Sequence, residues 1–171
     1  EVSESEQNNR KVMAICAFQI LYDLSCCPGV DNHGNVNPDA LRTYIYRLYE
    51  LSVERHRSKV ADMVVGSLLG NLPRNDSYPQ TILGEIVEEL KSDSVDEHIR
   101  IRIFNSRGVT IRAFTEGGEQ ERSLVALFKS YRDKVKFTYP RLAKIFTKLM
   151  SEYERDANRE DCVAQLEDLE Y

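Results

Sequence analysis

The sequence predicts an all-α fold, a bundle of about five to seven helices that closes on a long C-terminal helix. Three observations predict it. Apolar residues recur every three or four positions in segment after segment of the 171-residue chain. Glu, Lys, Arg and Leu are plentiful, while glycine (8) and proline (5) are sparse and punctuate rather than interrupt those segments. Helix start and stop signals flank most of them.

Residues 1–9 are polar and read as a frayed N-terminal segment; residues 10–171 read as a single helical domain. From Arg10 to about Cys26, the residues Val12, Ile15, Cys16, Ile20 and Leu24 fall at helical spacing, and Cys27-Pro28-Gly29 stops the pattern. Asp31, His33 and Asn35 alternate in the next loop as in a calcium site. That reading fails, because an EF-hand loop needs more carboxylates and a bidentate Glu at its twelfth position. A helix entry accounts for the loop better. Asn37 caps, Pro38 fits the first helical position, Asp39 meets the positive first turn, and Val36 and Leu41 flank the cap as a staple.

The helix from Pro38 carries Leu41, Tyr44, Ile45, Leu48 and Leu51. After the polar ERHRS, a bend or an exposed helical stretch, the pattern resumes at Val60, Ala61, Val64, Val65, Leu68 and Leu69 and ends at Gly70 and Pro73. Pro79 is read as opening the next helix, with Ile82, Leu83, Ile86, Val87 and Leu90 inside. The segment after it carries two signals. Ile99, Ile101 and Ile103 alternate with arginines, and Val109 and Ile111 alternate again, which would make a β-hairpin over about 99–113. Ser94 and Glu97 form a capping-box pattern, Gly108 suits a helix end, and a lone hairpin is marginal, so the reading is helix from Val95 to about Asn105. Gly118 or Glu119 opens a helix with Leu124, Leu127, Phe128 and Tyr131 on one face. Pro140 opens the longest helix, with Leu142, Ile145, Phe146, Leu149, Tyr153 and Ala157 as its stripe; the stripe thins beyond Ala157.

Charge narrows the function classes. The net charge of −5 argues against broad nucleic-acid binding. The charge is uneven, with seven basic residues and one acid from Lys129 to Lys148, then eight acids and two arginines from Glu152 to Glu170. These are two solvated faces of opposite bias, or a basic strip that meets an acidic partner. The four cysteines make no CxxC pair and no zinc spacing, which points to a reducing, cytoplasmic setting and to no metal or cofactor. Cys16 is expected on an apolar helix face, where a reduced Cys behaves as a small hydrophobe. No apolar run reaches a membrane-spanning length, and no signal-peptide pattern appears. The absence of an initiator Met is read as a segment of a longer protein.

The strings NSRGV, EGGEQER and SEYERDANRED, with GVDNHGNVNPDALRTYI upstream, resemble the C-terminal helical region of a family of uncharacterised bacterial proteins, over most of the chain from about Cys27. The resemblance implies a bacterial, cytoplasmic, mostly helical module of a larger protein, and no mechanism.

No nucleophile elbow, phosphate-binding loop, dinucleotide fingerprint or HExxH motif is present. His33, His56 and His98 are scattered, and the pairs Glu88-Glu89, Glu119-Glu121 and Glu160-Asp161 read as solvated surface. One stretch concentrates chemistry. Asn105, Arg107 and Arg112 precede Gly117-Gly118, and Glu116, Glu119, Gln120 and Glu121 surround the glycines. Backbone N–H groups at a helix start with nearby arginines suit an anion. The acids at the same place would instead occupy the helix dipole and pair with the arginines. The corner is therefore read first as a structural junction and second as a ligand pocket.

The leading function is a non-catalytic interaction or scaffolding module of a larger bacterial protein, its partner another domain of the parent, another protein or a second copy. The runner-up is a helical ligand-binding or nucleotide-processing part of an enzyme that uses the Arg/Gly-Gly corner. The third is helix-turn-helix-like DNA binding, which needs Lys129–Lys148 as one exposed basic face.

Overall fold

The computed structural model describes residues 3–23, 27–108, 111 and 116–167. Among these, seven helices form: α1 (Glu4–Asp23), α2 (Pro38–Glu54), α3 (Ser58–Gly70), α4 (Thr81–Leu90), α5 (Asp93–Asn105), α6 (Glu119–Val135) and α7 (Pro140–Glu167). Helix accounts for 75% of the described residues, more than twice the globular share of about a third, so the class is all-α. The sole β feature among the described residues is a bridge between Val30 and Val36 that closes the loop before α2.

The entry to α2 follows its sequence signals. The Asn37 side chain accepts the Ala40 N–H at 3.1 Å, Pro38 is the first helical residue, and Leu41 is fully buried. In the loop before it, the Asp31 carboxylate accepts the amides of His33 and Asn35 and the side chain of Asn35, so the loop's own donors occupy it. ERHRS is a bend: α2 ends at Glu54, His56 has φ +55°, and α3 begins at Ser58.

Two helix starts differ from the sequence reading. The helix expected from Pro79 starts at Thr81, because Tyr78 is drawn into the core and Gln80 is still extended. The next is capped by Ser92 rather than Ser94. Lys91 turns left-handed straight after α4, and the Ser92 hydroxyl accepts the Val95 N–H at 3.3 Å. The same hydroxyl donates to Asp62 at 3.0 Å, and the Tyr49 hydroxyl donates to the other Asp62 oxygen at 2.8 Å, which ties α2, α3 and α5 together. The hairpin alternative does not form where the chain is described. Ile99 and Ile103 lie four apart on α5 and both are fully buried; residues 109, 110, 112 and 113 lie outside the described part.

The core joins two tight helix pairs. α6 and α7 form an antiparallel hairpin around Phe128, Leu142, Phe146, Leu149 and Tyr153. α3 lies on α5 through Gly66 and Gly70, where an added Cβ would meet the Cβ of His98 at 2.5 Å and of Arg102 at 2.7 Å. α4 and α5 carry both pairs onto each other through Ile82, Leu83, Ile86, Val95 and Ile99. Leu51, Val60 and Leu127, expected inside, are 39–44% exposed. Past Asp161 the end of α7 projects, with Val163 and Leu166 in solvent.

α1 departs furthest from expectation. It begins at Glu4, not Arg10, because Ser3 Oγ accepts the Glu6 N–H at 3.3 Å and Glu6 pairs with Arg10 at 2.9 Å. Its apolar face is not covered. Val12, Met13, Ile15 and Ile20 are 59–71% exposed, and Cys16 is exposed too. α1 meets the rest of the chain chiefly at α3. Leu24 and Cys26 lie outside the described residues.

Candidate functional site

The Gly-Gly corner lies between the end of α5 and the start of α6. Gly108 leaves α5 at φ +72°, and Gly117 turns the chain into α6 at φ +56°, a conformation glycine reaches without a Cβ clash. Gly118 serves a different need. A Cβ there would lie 2.5 Å from Ala157 Cα and 2.7 Å from Ala157 C, so the start of α6 is pressed against the backbone of α7.

The charges of the corner pair internally. Arg107 reaches Glu121 at 2.6 Å, with the Glu121 side chain only 1% exposed. The pair Glu119-Glu121 is therefore not solvated as a unit: Glu119 is exposed and Glu121 is inside. Arg107 also lies 5.9 Å above the ring of Tyr153. Gln120 fills the remaining space, donating to Glu116 at 2.7 Å and to the Ile111 carbonyl at 3.1 Å, and accepting from Arg107 at 3.4 Å. Asn105 is exposed. Arg112, which the sequence also placed here, lies outside the described residues.

The anion at this helix start comes from the chain itself. Asp161, from α7, accepts the Gly118 N–H at 2.8 Å and receives both terminal nitrogens of Arg122. The Arg122 hydrogen bonds first, and the Gly118 amide second, hold its carboxyl below the ordinary value. Sequence reading set Asp161 aside as surface, since nothing local shows that a residue 43 positions away returns to cap α6.

A pH experiment follows from that depressed value. The contribution of Asp161 to stability is complete above its unfolded pKa of about 3.9 and fades as pH falls through the lower folded value. Asp161→Asn keeps an oxygen for Gly118 but loses the charge, so it should flatten the acid limb of a urea midpoint against pH profile. Asp161→Ala should be less stable than Asp161→Asn at pH 7, and equal midpoints for the two variants and the parent would contradict the clasp.

The other acid pairs are also engaged. Glu88 accepts the Arg141 N–H at 2.6 Å and so caps α7, and Glu89 binds Arg42 and the Tyr46 hydroxyl. The basic strip meets acids of this same chain: Arg141 reaches Asp93 at 2.5 Å and Asp96 at 2.7 Å, Lys148 lies 3.9 Å from Glu97, and Arg132 pairs with Asp133 at 2.9 Å. Lys134 donates to the Tyr78 carbonyl. The single exposed basic face that DNA binding needs is thus interrupted.

A shallow groove between α5 and α7, of about 390 Å³, is a feature that sequence reading missed. Arg100 lies at its floor, bonded to Glu97 and Glu152, and Lys144, Lys148 and Arg155 stand around it. Hydrogen bonds that Arg100 donates to Glu97 raise the pKa of its guanidinium, and the same bonds lower that of the Glu97 carboxyl. Helical periodicity places Arg100 and Glu97 on one face, but only the packing brings α7 opposite. Among the described residues no group of His, Cys, Asp and Glu could hold a metal; His33 and His56 are exposed and His98 packs over Gly66.

No family model, no curated protein and no solved structure matches the chain.

Proposed function

We propose that this chain is a non-catalytic interaction module of a larger bacterial cytoplasmic protein, and that α1 is its interacting element. One observation carries the reading. From Val12 to Ile20 the helix is apolar almost all round, with Gln19 its sole polar residue, yet Val12, Met13, Ile15 and Ile20 face solvent. A helix of that composition belongs inside an assembly, and an exposed apolar patch of this kind marks a protein–protein contact. The exposed free thiols of Cys16 and Cys162 suit a reducing compartment, and among the described residues no helix is long and apolar enough to cross a membrane. The corner at Gly117-Gly118 then serves as a structural clasp, supported by the pairing of Arg107 with Glu121 and of Arg122 with Asp161.

Removing α1 tests the reading. A chain lacking residues 1–23 should melt, at low micromolar concentration, within about 4 °C of the full chain, equivalent to about 1 kcal/mol or slightly more. A loss of more than about 10 °C would make α1 part of the core and would end the proposal.

A further inference from the structure

We propose that α1 docks on α1 of a second copy of this chain, antiparallel, about a two-fold axis at Cys16. This rests on the interaction-module reading and names its partner. At about 100° per residue, Val12, Met13, Ile15 and Ile20 span an arc of roughly 160° with Cys16 near its middle. Val12 and Ile20 also lie four residues before and after Cys16, about 6 Å to either side along the axis. A two-fold at Cys16 therefore sets Val12 of each copy on Ile20 of the other, and the patch is complementary to itself.

Charge selects the antiparallel direction. Arg10 and Lys11 are exposed, six and five residues before the axis. The C-terminal end of α1, at Asp23, is seven residues after it, and no basic residue lies in that last turn. The two-fold brings the basic pair of one copy beside the C-terminal carbonyls of the other, the negative end of its dipole. A parallel pairing would set the basic residues against each other.

Area sets the strength. The exposed parts of Val12, Met13, Ile15 and Ile20 amount to roughly 450 Å² per copy, about 900 Å² for the pair at full burial, above most crystal contacts and below the stable-dimer range. The association is therefore weak and concentration-dependent, with a Kd of about 10–100 µM.

Sedimentation of the full chain from about 1 to 200 µM brackets that range and should show a monomer–dimer equilibrium. Val12→Glu and Ile20→Glu alter exposed residues, so each should leave the melting temperature unchanged and weaken the dimer at least about tenfold. In a Cys162→Ser background, a short bis-maleimide should join two chains through Cys16, and Val12→Glu should abolish the product. A monomer at every concentration, or a dimer indifferent to both substitutions, overturns the proposal. A monomer whose form lacking residues 1–23 keeps its melting temperature overturns the second copy alone and leaves α1 to a different protein. A large loss of melting temperature in that form overturns the interaction reading as well.

Discussion

Tyr153→Ala is expected to cost about 4 kcal/mol and to lower the melting temperature by roughly 10 °C, while Tyr153→Phe should stay within about 1 kcal/mol of the parent. The ring is 1% exposed and lies between two others, Phe104 of α5 at 5.1 Å and Phe128 of α6 at 5.7 Å between centroids. Both are stacked arrangements, with interplanar angles of 24° and 8°. Ala would empty a site shared by three helices, and neighbours held by their own packing would collapse into it only in part. Phe keeps the ring and both stacks. Burial also raises the pKa of the phenol, so the group is neutral at physiological pH. Thermal melts of the two variants decide the matter. Equal losses for Phe and Ala would move the source of stability from the ring to the hydroxyl.

Gly66→Val is expected to cost about 3 kcal/mol or more, for a reason opposite to a cavity. A Cβ at Gly66 would lie 2.5 Å from the Cβ of His98 and 2.7 Å from the Val95 carbonyl oxygen. These are atoms at or near the backbone of α5, which cannot swing aside. The gain of about 1 kcal/mol in helix propensity that Ala would bring at such a position is withheld from the β-branched Val. Gly108→Ala is the matched contrast. Nothing lies within 4 Å of its Cβ position, so its cost is only that of the +72° φ, about 1–2 kcal/mol. Urea midpoints should therefore separate a steric glycine from a conformational one. A Gly66→Val variant as stable as the parent would mean that α3 and α5 can part without loss.

The helices were legible because their causes are local. Asn37, Pro38 and Asp39 announce α2 within three consecutive residues, and the stripe of α7 needs only spacing. Ser94 misled because a capping pattern is also local, and Ser92 could be preferred only by knowing that α4 ends one residue before Lys91. The junction at Gly117 was readable from glycine chemistry. Its other half was not, since Asp161, Ala157 and Tyr153 approach from another helix and leave no mark on the stretch they contact. The same limit explains α1. Periodicity shows that a helix has an apolar face and says nothing of whether this chain supplies the cover.

The carboxylate of Asp161 also imposes an order in time. A chain made from its N-terminus has α3 and α5 in hand, with Gly66 and Gly70 free to seat against His98 and Arg102, before α6 exists. α6 then emerges with Glu121 and the Gly118 amide, but the residue that closes its first turn is still to be added. Folding during synthesis is thus staged. The front half can set early, and the rear hairpin waits for nearly the last turns of α7, which gives a nascent-chain assistant a defined interval in which to act.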